Sequence, residues 1–269
     1  MVTRSTSVGV EIDDAGVEVR VVGEKVTPWI DSELYTRTAE FIRMSGVVVQ
    51  WSMSEGLATG LLIVPAEQAA DTRFADYLTR TTLRLPFSGE WFVFWGGRDV
   101  VHNAHAVVSD QRFASDYIVL RHGTNHAGDS TRNDQYYSFG QPVLAPGAGT
   151  VVATADGIAD NRPGVMNARK PVGNHVIIDH SNGEFSFIAH LKNGSVAVVP
   201  GATVQAGDLL GRCGNSGNSS EPHVHYHLQN TPHFADGEGL PAQFTAYTAD
   251  GILVQSGEPQ QGQRVFPQP

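Results

Sequence analysis

The histidines at positions 223, 225 and 227, in the stretch "SSEPHVHYHLQN" from Ser219 to Asn230, recur at every second residue. Only an extended strand sets such residues side by side, because alternate side chains of a strand share a face and a helix scatters them. Val224, Tyr226 and Leu228 then point the other way and form the candidate core face. The segment therefore predicts a strand with one apolar side packed inward and three imidazoles lining a surface or cleft. Two imidazoles about 6.5 to 7 Å apart along one strand face can address a single water, one through a metal and the other as proton acceptor.

The same period of two recurs upstream. "GNHVIIDHSNGEFSFIAHL" is two alternating strands around Ser-Asn-Gly, and Asn-Gly favours the positive φ angles of a type I′ hairpin turn. By alternation, Ser186, Ile188 and His190 share one face of its second strand and Phe185, Phe187 and Ala189 the other. "PVLAPGAGTVV" and "VVPGATVQAGDLLG" read as tight turns feeding short buried strands, and "EWFVFWGG" as a dense aromatic strand. With 29 glycines and 14 prolines for punctuation, the chain is expected to be mostly β, with an antiparallel sheet.

Its 269 residues suit one large all-β domain or an ordinary domain with an accessory segment. Residues 1–86 mix signals. "VGVEIDDAGVEVRVV" alternates around an Asp-Asp-Ala-Gly turn, while "DSELYTRTAEFIRM" has helical spacing at Leu34, Ala39, Phe41 and Ile42. They predict a small α+β or β-rich accessory region, divided near residues 86 to 90 from a main domain over residues 87–235. Residues 236–269 are expected to pack on that domain as a C-terminal extension, with one strand in "ADGILVQSG" before a frayed end.

Eighteen basic and 28 acidic residues give a net charge of −10, which disfavours broad, sequence-independent binding to nucleic acid phosphates or anionic lipid, and no membrane insertion is expected. Cys213 is the only cysteine, so no intrachain disulfide forms, and its lack of a charged neighbour beyond Arg212 marks it for packing. The opening "MVTRSTSVGVEIDD" shows no apolar run after a basic segment, so neither a signal peptide nor a membrane anchor is expected in this chain. The glycines of "GRCGNSGNSS" lead into the histidine-rich strand rather than a helix, which argues against a phosphate cradle.

Three strings, "GQPVLAPGAGTVV", "GNHVIIDHSNGEFSFIAHL" and "PGATVQAGDLLGRCGNSGNSSEPHVHYHL", stand in this order. Over roughly residues 90 to 230 the sequence resembles the lysostaphin-type, LytM-like zinc metallopeptidases. The resemblance implies an antiparallel β fold of the duplicated-hybrid-motif type. It also implies a zinc ligand at His225, and catalytic roles for His223 and for His190, the histidine closing the "AHL" strand.

The family's usual first-strand His-x-x-x-Asp pair has no counterpart here. His126 and Asp129 in "TNHAGDS" are three apart, would face opposite sides of a strand, and lie in a loop-like stretch. His105 and Asp116, in "HNAHAVVSDQRFASDYIVL", fit better. Asp116 sits inside a strand between Ala114 and Ile118, where a carboxylate is costly unless something cationic holds it. "DQRFASDY" also resembles the first-strand text of one branch of the family. The expected metal set is His105, Asp116 and His225, with His102 and His126 as alternatives to His105. Arg112 or Arg121 are the candidate partners should Asp116 be purely structural. His227 shares the face but lies outside the motif, His180 is expected to be structural, and Asp129 and Asp134 to be solvated.

The resemblance implies a Zn2+-dependent endopeptidase cleaving peptides such as those of peptidoglycan, and hence a place outside the cytoplasm or in the cell envelope. The absence of an export signal fits instead a cytoplasmic chain or a trimmed one. Two alternatives remain. One is a degenerate domain of the same fold that binds cell-wall material or regulates other hydrolases. The other is a histidine phosphocarrier, since "APGAGTVV" with "GATVQAGDLLG" also resembles those proteins.

Overall fold

A computed structural model describes residues 74–268 in full, together with the backbone of the strands at residues 9–13, 16–21, 24–26, 40–44, 47–54 and 57–65. Those six strands form two antiparallel meanders, β1 (Gly9–Asp13), β2 (Gly16–Val21) and β3 (Glu24–Val26) in one, β4 (Glu40–Met44), β5 (Val47–Ser54) and β6 (Leu57–Pro65) in the other. The helical spacing read from Leu34 is not realised at Phe41 and Ile42, which lie in β4; Leu34 and Ala39 fall outside the described residues.

The remaining strands in chain order are β7 (Trp91–Trp95), β8 (Ser115–Ile118), β9 (Pro142–Leu144), β10 (Gly149–Ala155), β11 (Asn174–Asp179), β12 (Phe185–Leu191) and β13 (Thr203–Val204). They continue with β14 (Leu209–Arg212), β15 (Val224–Gln229), β16 (Gly239–Leu240), β17 (Phe244–Ala249), β18 (Ile252–Gly257) and β19 (Arg264–Pro267). Strands β9 and β14 pair with each other; the rest make one antiparallel sheet in the order β13-β10-β11-β12-β15-β8-β7-β19-β17-β18, with β16 also paired to β15. The expected mostly β, antiparallel fold is thus the observed one. Among the described residues no helix is long and apolar enough to cross a membrane.

Strand β15 lies centrally, between β12 and β8. Its Val224, Tyr226 and Leu228 are buried in a core with Val176, Ile178, Ile188, Tyr117, Val143 and Phe244, as period-two patterning requires. Cys213 is buried in the same core. A polar chain crosses it without an orphan: Ser186 Oγ meets both Tyr226 Oη at 2.9 Å and His180 Nε2 at 2.7 Å, while His180 Nδ1 donates to the Ala148 carbonyl. His180 therefore has the structural place expected of it.

Residues 74–87 pack with this domain, on the far side of the division expected near residues 86 to 90. Phe74, Leu83, Leu85 and Phe87 are core residues, and Leu83 bridges to Phe244. The C-terminal segment does not fray: β19 pairs with both β17 and β7. Turn signals could not disclose this, because "QRVFP" is too short to stand out and its partners are distant in sequence.

The β11–β12 hairpin forms as expected, but not through a two-residue type I′ turn. Asp179 pairs with Phe185, leaving a five-residue loop in which Ser181 and Gly183 carry the positive φ angles. Glu184 closes this loop just before β12. Its buried carboxylate accepts hydrogen bonds from Tyr77 Oη, the backbone N–H groups of Arg80 and Thr81, and Thr81 Oγ1. Burial opposes its ionisation, and these donors hold its carboxyl below the ordinary value. Glu184→Ala would orphan the donors of segment 77–81, and hydrogen bonds to a charged group are worth about 1.5–3 kcal/mol each. A loss of at least about 2 kcal/mol in urea unfolding is expected; an unchanged midpoint would contradict the clamp.

Candidate functional site

The face of β15 opposite the core carries His223, at its entrance, then His225 and His227, and it opens into a pocket. Strand β8 runs antiparallel beside it and sets Asp116 directly against His225. His105 arrives from a short 3-10 turn, Ala104–Val107, whose start is capped by Asn103: the Asn103 Oδ1 accepts from the His105 N–H, and its amide donates to the carbonyls of Gly97 and Ala114. His105 is thereby anchored to the two ends of the β7–β8 connection.

His190 reaches the pocket in a way that alternation does not foresee. Between Val176↔Ile188 and Asn174↔Leu191 the register shifts, so Ala189 and His190 together oppose the single residue His175. This is a β-bulge, and His190 takes φ +57 there. The extra residue returns Leu191 to the core and turns His190 away from the side of Ser186 and Ile188 into the pocket beside Ala189. The expected shared face of Ser186, Ile188 and His190 is corrected accordingly.

Five predicted residues, His105, Asp116, His190, His223 and His225, thus line one pocket. Asp116 Oδ1 lies 2.9 Å from His225 Nδ1 and 3.7 Å from His223 Nε2, and Oδ2 lies 3.0 Å from His105 Nε2. Arg112 and Arg121 are occupied elsewhere, over the rings of Phe113 and Tyr137. The alternatives do not join the cluster: His102 pairs with Asp99, and His126 sits against Tyr136 with Nδ1 on Asn125 Oδ1. Asp129 and Asp134 are exposed, as expected.

Two backbone carbonyls fix the orientation of the other rings. His190 Nδ1 donates to the Ser216 carbonyl and His223 Nδ1 to the Glu221 carbonyl, both at 2.8 Å. Each ring therefore keeps its Nε2 lone pair for the pocket. Ser216 is held by a close crossing of two glycines. A Cβ on Gly173, at φ +62, would fall 2.4 Å from the Ser216 carbonyl oxygen, and one on Gly217 would fall 2.5 Å from the Gly173 nitrogen. The Ser216 hydroxyl also donates to the Leu191 carbonyl and accepts from the Asn174 N–H. "GRCGNSGNSS" is thus a packed loop that aims His190, and no phosphate cradle.

Electrostatics separates the carboxylate from the imidazoles. Burial alone would raise the Asp116 carboxyl, but His105 and His223 beside it, with a hydrogen bond from His105, hold it well below the usual carboxylate range. Burial pushes His190 and His227 well down and His225 down, so these three rings are neutral at pH 7.

Two sets of donor atoms, His105/Asp116/His225 and His190/His223/His225, each lie within 4.8 Å of one another, close enough to hold one ion. The first fits a catalytic zinc centre better, since it pairs a carboxylate with two imidazoles and leaves an open side toward the pocket. A buried carboxylate set among imidazoles is also the mixed oxygen and nitrogen donor set that a divalent cation takes up. Sequence reading did not single out Glu221, Asn125 or Gln229. Asn125 clips its loop to Glu221 beside His223, a contact with no local signature, whereas Gln229 does continue the period-two series of its strand.

Acid stability should report the buried imidazoles. Their folded pKa values lie below the ordinary value of about 6.5, so the unfolded chain binds more protons and unfolding is favoured as pH falls through that value. Urea unfolding of the metal-free protein is expected to give constant stability above about pH 7.5 and a decline from about pH 6.5 toward 5. Identical midpoints at both ends of that range would contradict the assignment.

Residues 133–237 match the family model described as Peptidase family M23. A stretch of 91 residues is 35% identical to the peptidoglycan DD-endopeptidase ShyA of Vibrio cholerae, covering 34% of this chain and 19% of that relative. Another of 88 residues is 37% identical to the DD-carboxypeptidase/endopeptidase Mpg of Neisseria meningitidis, covering 32% and 19%. The chain thus matches only about a fifth of the length of these relatives. Among solved structures, the catalytic domain of EnpA, a prophage-encoded M23 protein of Enterococcus faecalis, is similar with a TM-score of 0.37 and 19% identity over 59% of this chain and 93% of that one. The matched segment carries His190, His223 and His225, while His105 and Asp116 lie upstream of it and join through the sheet. The match over residues 133–237 to Peptidase family M23 agrees with the likeness to lysostaphin- and LytM-type peptidases that the sequence motifs carry.

Proposed function

We infer that the protein is a zinc-dependent endopeptidase acting on the peptides of peptidoglycan, outside the cytoplasm. The observation that carries this reading is the convergence of a histidine–carboxylate donor set and two further imidazoles, each with a free Nε2, on one pocket. ShyA is named a peptidoglycan DD-endopeptidase and Mpg a DD-carboxypeptidase/endopeptidase, which supports the substrate class, and a cell-wall substrate supports the location.

His105, Asp116 and His225 would hold the ion. Zinc bound there supplies Lewis acidity, which polarises a carbonyl and lowers the pKa of water toward about 7. The chain's own residues do the rest. The Nδ1–H groups of His190 and His223 are committed to carbonyls, so both rings exchange protons only at Nε2. One accepts the proton of the attacking water, and the other stabilises the developing oxyanion or protonates the leaving amine. Trp95, Val108 and Phe234 give the pocket an apolar side against which a substrate side chain packs. A phosphocarrier is disfavoured, because a phosphoryl group on His223 or His225 would face the Asp116 carboxylate. A degenerate binding domain would not need all five residues.

Elemental mass spectrometry is expected to find about one zinc per chain, lost in Asp116→Ala and kept in His190→Ala and His223→Ala. The two histidine variants should release fragments from purified peptidoglycan about 10²- to 10⁴-fold more slowly. Zinc retained without Asp116, or unchanged hydrolysis by His190→Ala, would overturn the reading.

A further inference from the structure

The histidine face of β15 does not stop at His225. His225 Nε2 lies 2.9 Å from His227 Nδ1, and His227 Nε2 lies 3.1 Å from Gln229 Oε1. The Gln229 amide nitrogen in turn reaches the backbone carbonyls of Thr231 at 2.6 Å and His233 at 2.8 Å. All three side chains are buried, and the His227 ring stacks on Phe187 with centroids 4.6 Å apart.

Directions along this chain follow from its far end. Carbonyl oxygens only accept, so the nitrogen of the Gln229 amide must face Thr231 and His233, and its Oε1 must face His227. Oε1 also only accepts, so His227 carries its proton on Nε2 and presents a bare Nδ1. His225 must then donate from Nε2, which leaves its Nδ1 as a lone pair directed at Asp116 Oδ1 2.9 Å away. Two acceptors facing each other at hydrogen-bond distance call for a cation between them.

We propose that His227 and Gln229 are positioning residues, a two-step relay anchored on the Thr231 and His233 carbonyls that fixes the tautomer of His225 and presents its Nδ1 to the metal. This rests on the zinc reading above. Outer partners of this kind set ring orientation and ligand basicity, and losing one typically weakens metal affinity by about 10- to 100-fold. His227 is here not a ligand and not a proton carrier; its contribution is the acceptor at Nδ1.

The test measures zinc affinity of the full chain by competition with a chelating dye, beside thermal melting of each metal-free variant. His227→Leu, which keeps apolar bulk against Phe187 and removes the acceptor, should weaken zinc binding about 10- to 100-fold. Gln229→Leu should weaken it in the same direction. His227→Asn, whose Oδ1 can stand where the ring Nδ1 stood, should recover most of the loss. Nitrogen-15 histidine spectra of the unaltered zinc-loaded chain should show His227 protonated at Nε2 and bare at Nδ1. That last measurement needs no variant to fold. Equal affinities for the unaltered chain and His227→Leu, equal losses in Leu and Asn at 227, or a His227 protonated at Nδ1 would each overturn the relay while leaving the zinc reading intact. Failure of the unaltered chain to bind zinc would overturn both.

Discussion

Asp116 is the constraint around which the rest is arranged. A carboxylate buried inside a sheet is tolerated only where charge and hydrogen bonds offset its lost hydration. The chain supplies those from two other places, the 3-10 turn bearing His105 and the strand bearing His223 and His225. Each is held in turn by groups that have no contact with the pocket chemistry: Asn103 under the turn, and Val224, Tyr226 and Leu228 anchoring the strand from the core side. Packing on one face of the sheet therefore sets distances on the other, and the site is as rigid as the core beneath it.

Strand alternation made most of this architecture legible. The three strings that carry the family likeness became β9–β10, β11–β12 and β13–β15, and the two faces of β15 divide as their residue types demand. His190 is instructive in the opposite sense. Its identity stood out, but simple alternation put it on the face of Ser186 and Ile188, because a bulge is one inserted residue and leaves no compositional trace when that residue is a histidine. Burial of a polar ring beside Ile188 would have been costly, and that conflict was the available hint of a backbone irregularity.

Long-range pairing was the least visible. Nothing local in residues 74–87 announces that Leu83 will bridge to Phe244, or that Thr81 will end on Glu184 more than a hundred positions away. Both contacts are set by what the sheet leaves uncovered. His105 belongs to the same class: it lies eleven residues before Asp116, and only the folding back of the β7–β8 connection through Asn103 brings the two within 3.0 Å.

Strand β19 has a further consequence for the molecule in solution. It lies against β7, which in turn lies against β8 with its Asp116. Without it, β7 would offer a row of unpaired N–H and C=O groups rich in aromatic residues, a surface on which other chains could add as strands. The Gln- and Pro-rich C-terminal segment, unremarkable as text, thus acts as a guard against aggregation one strand away from the most polar part of the sheet.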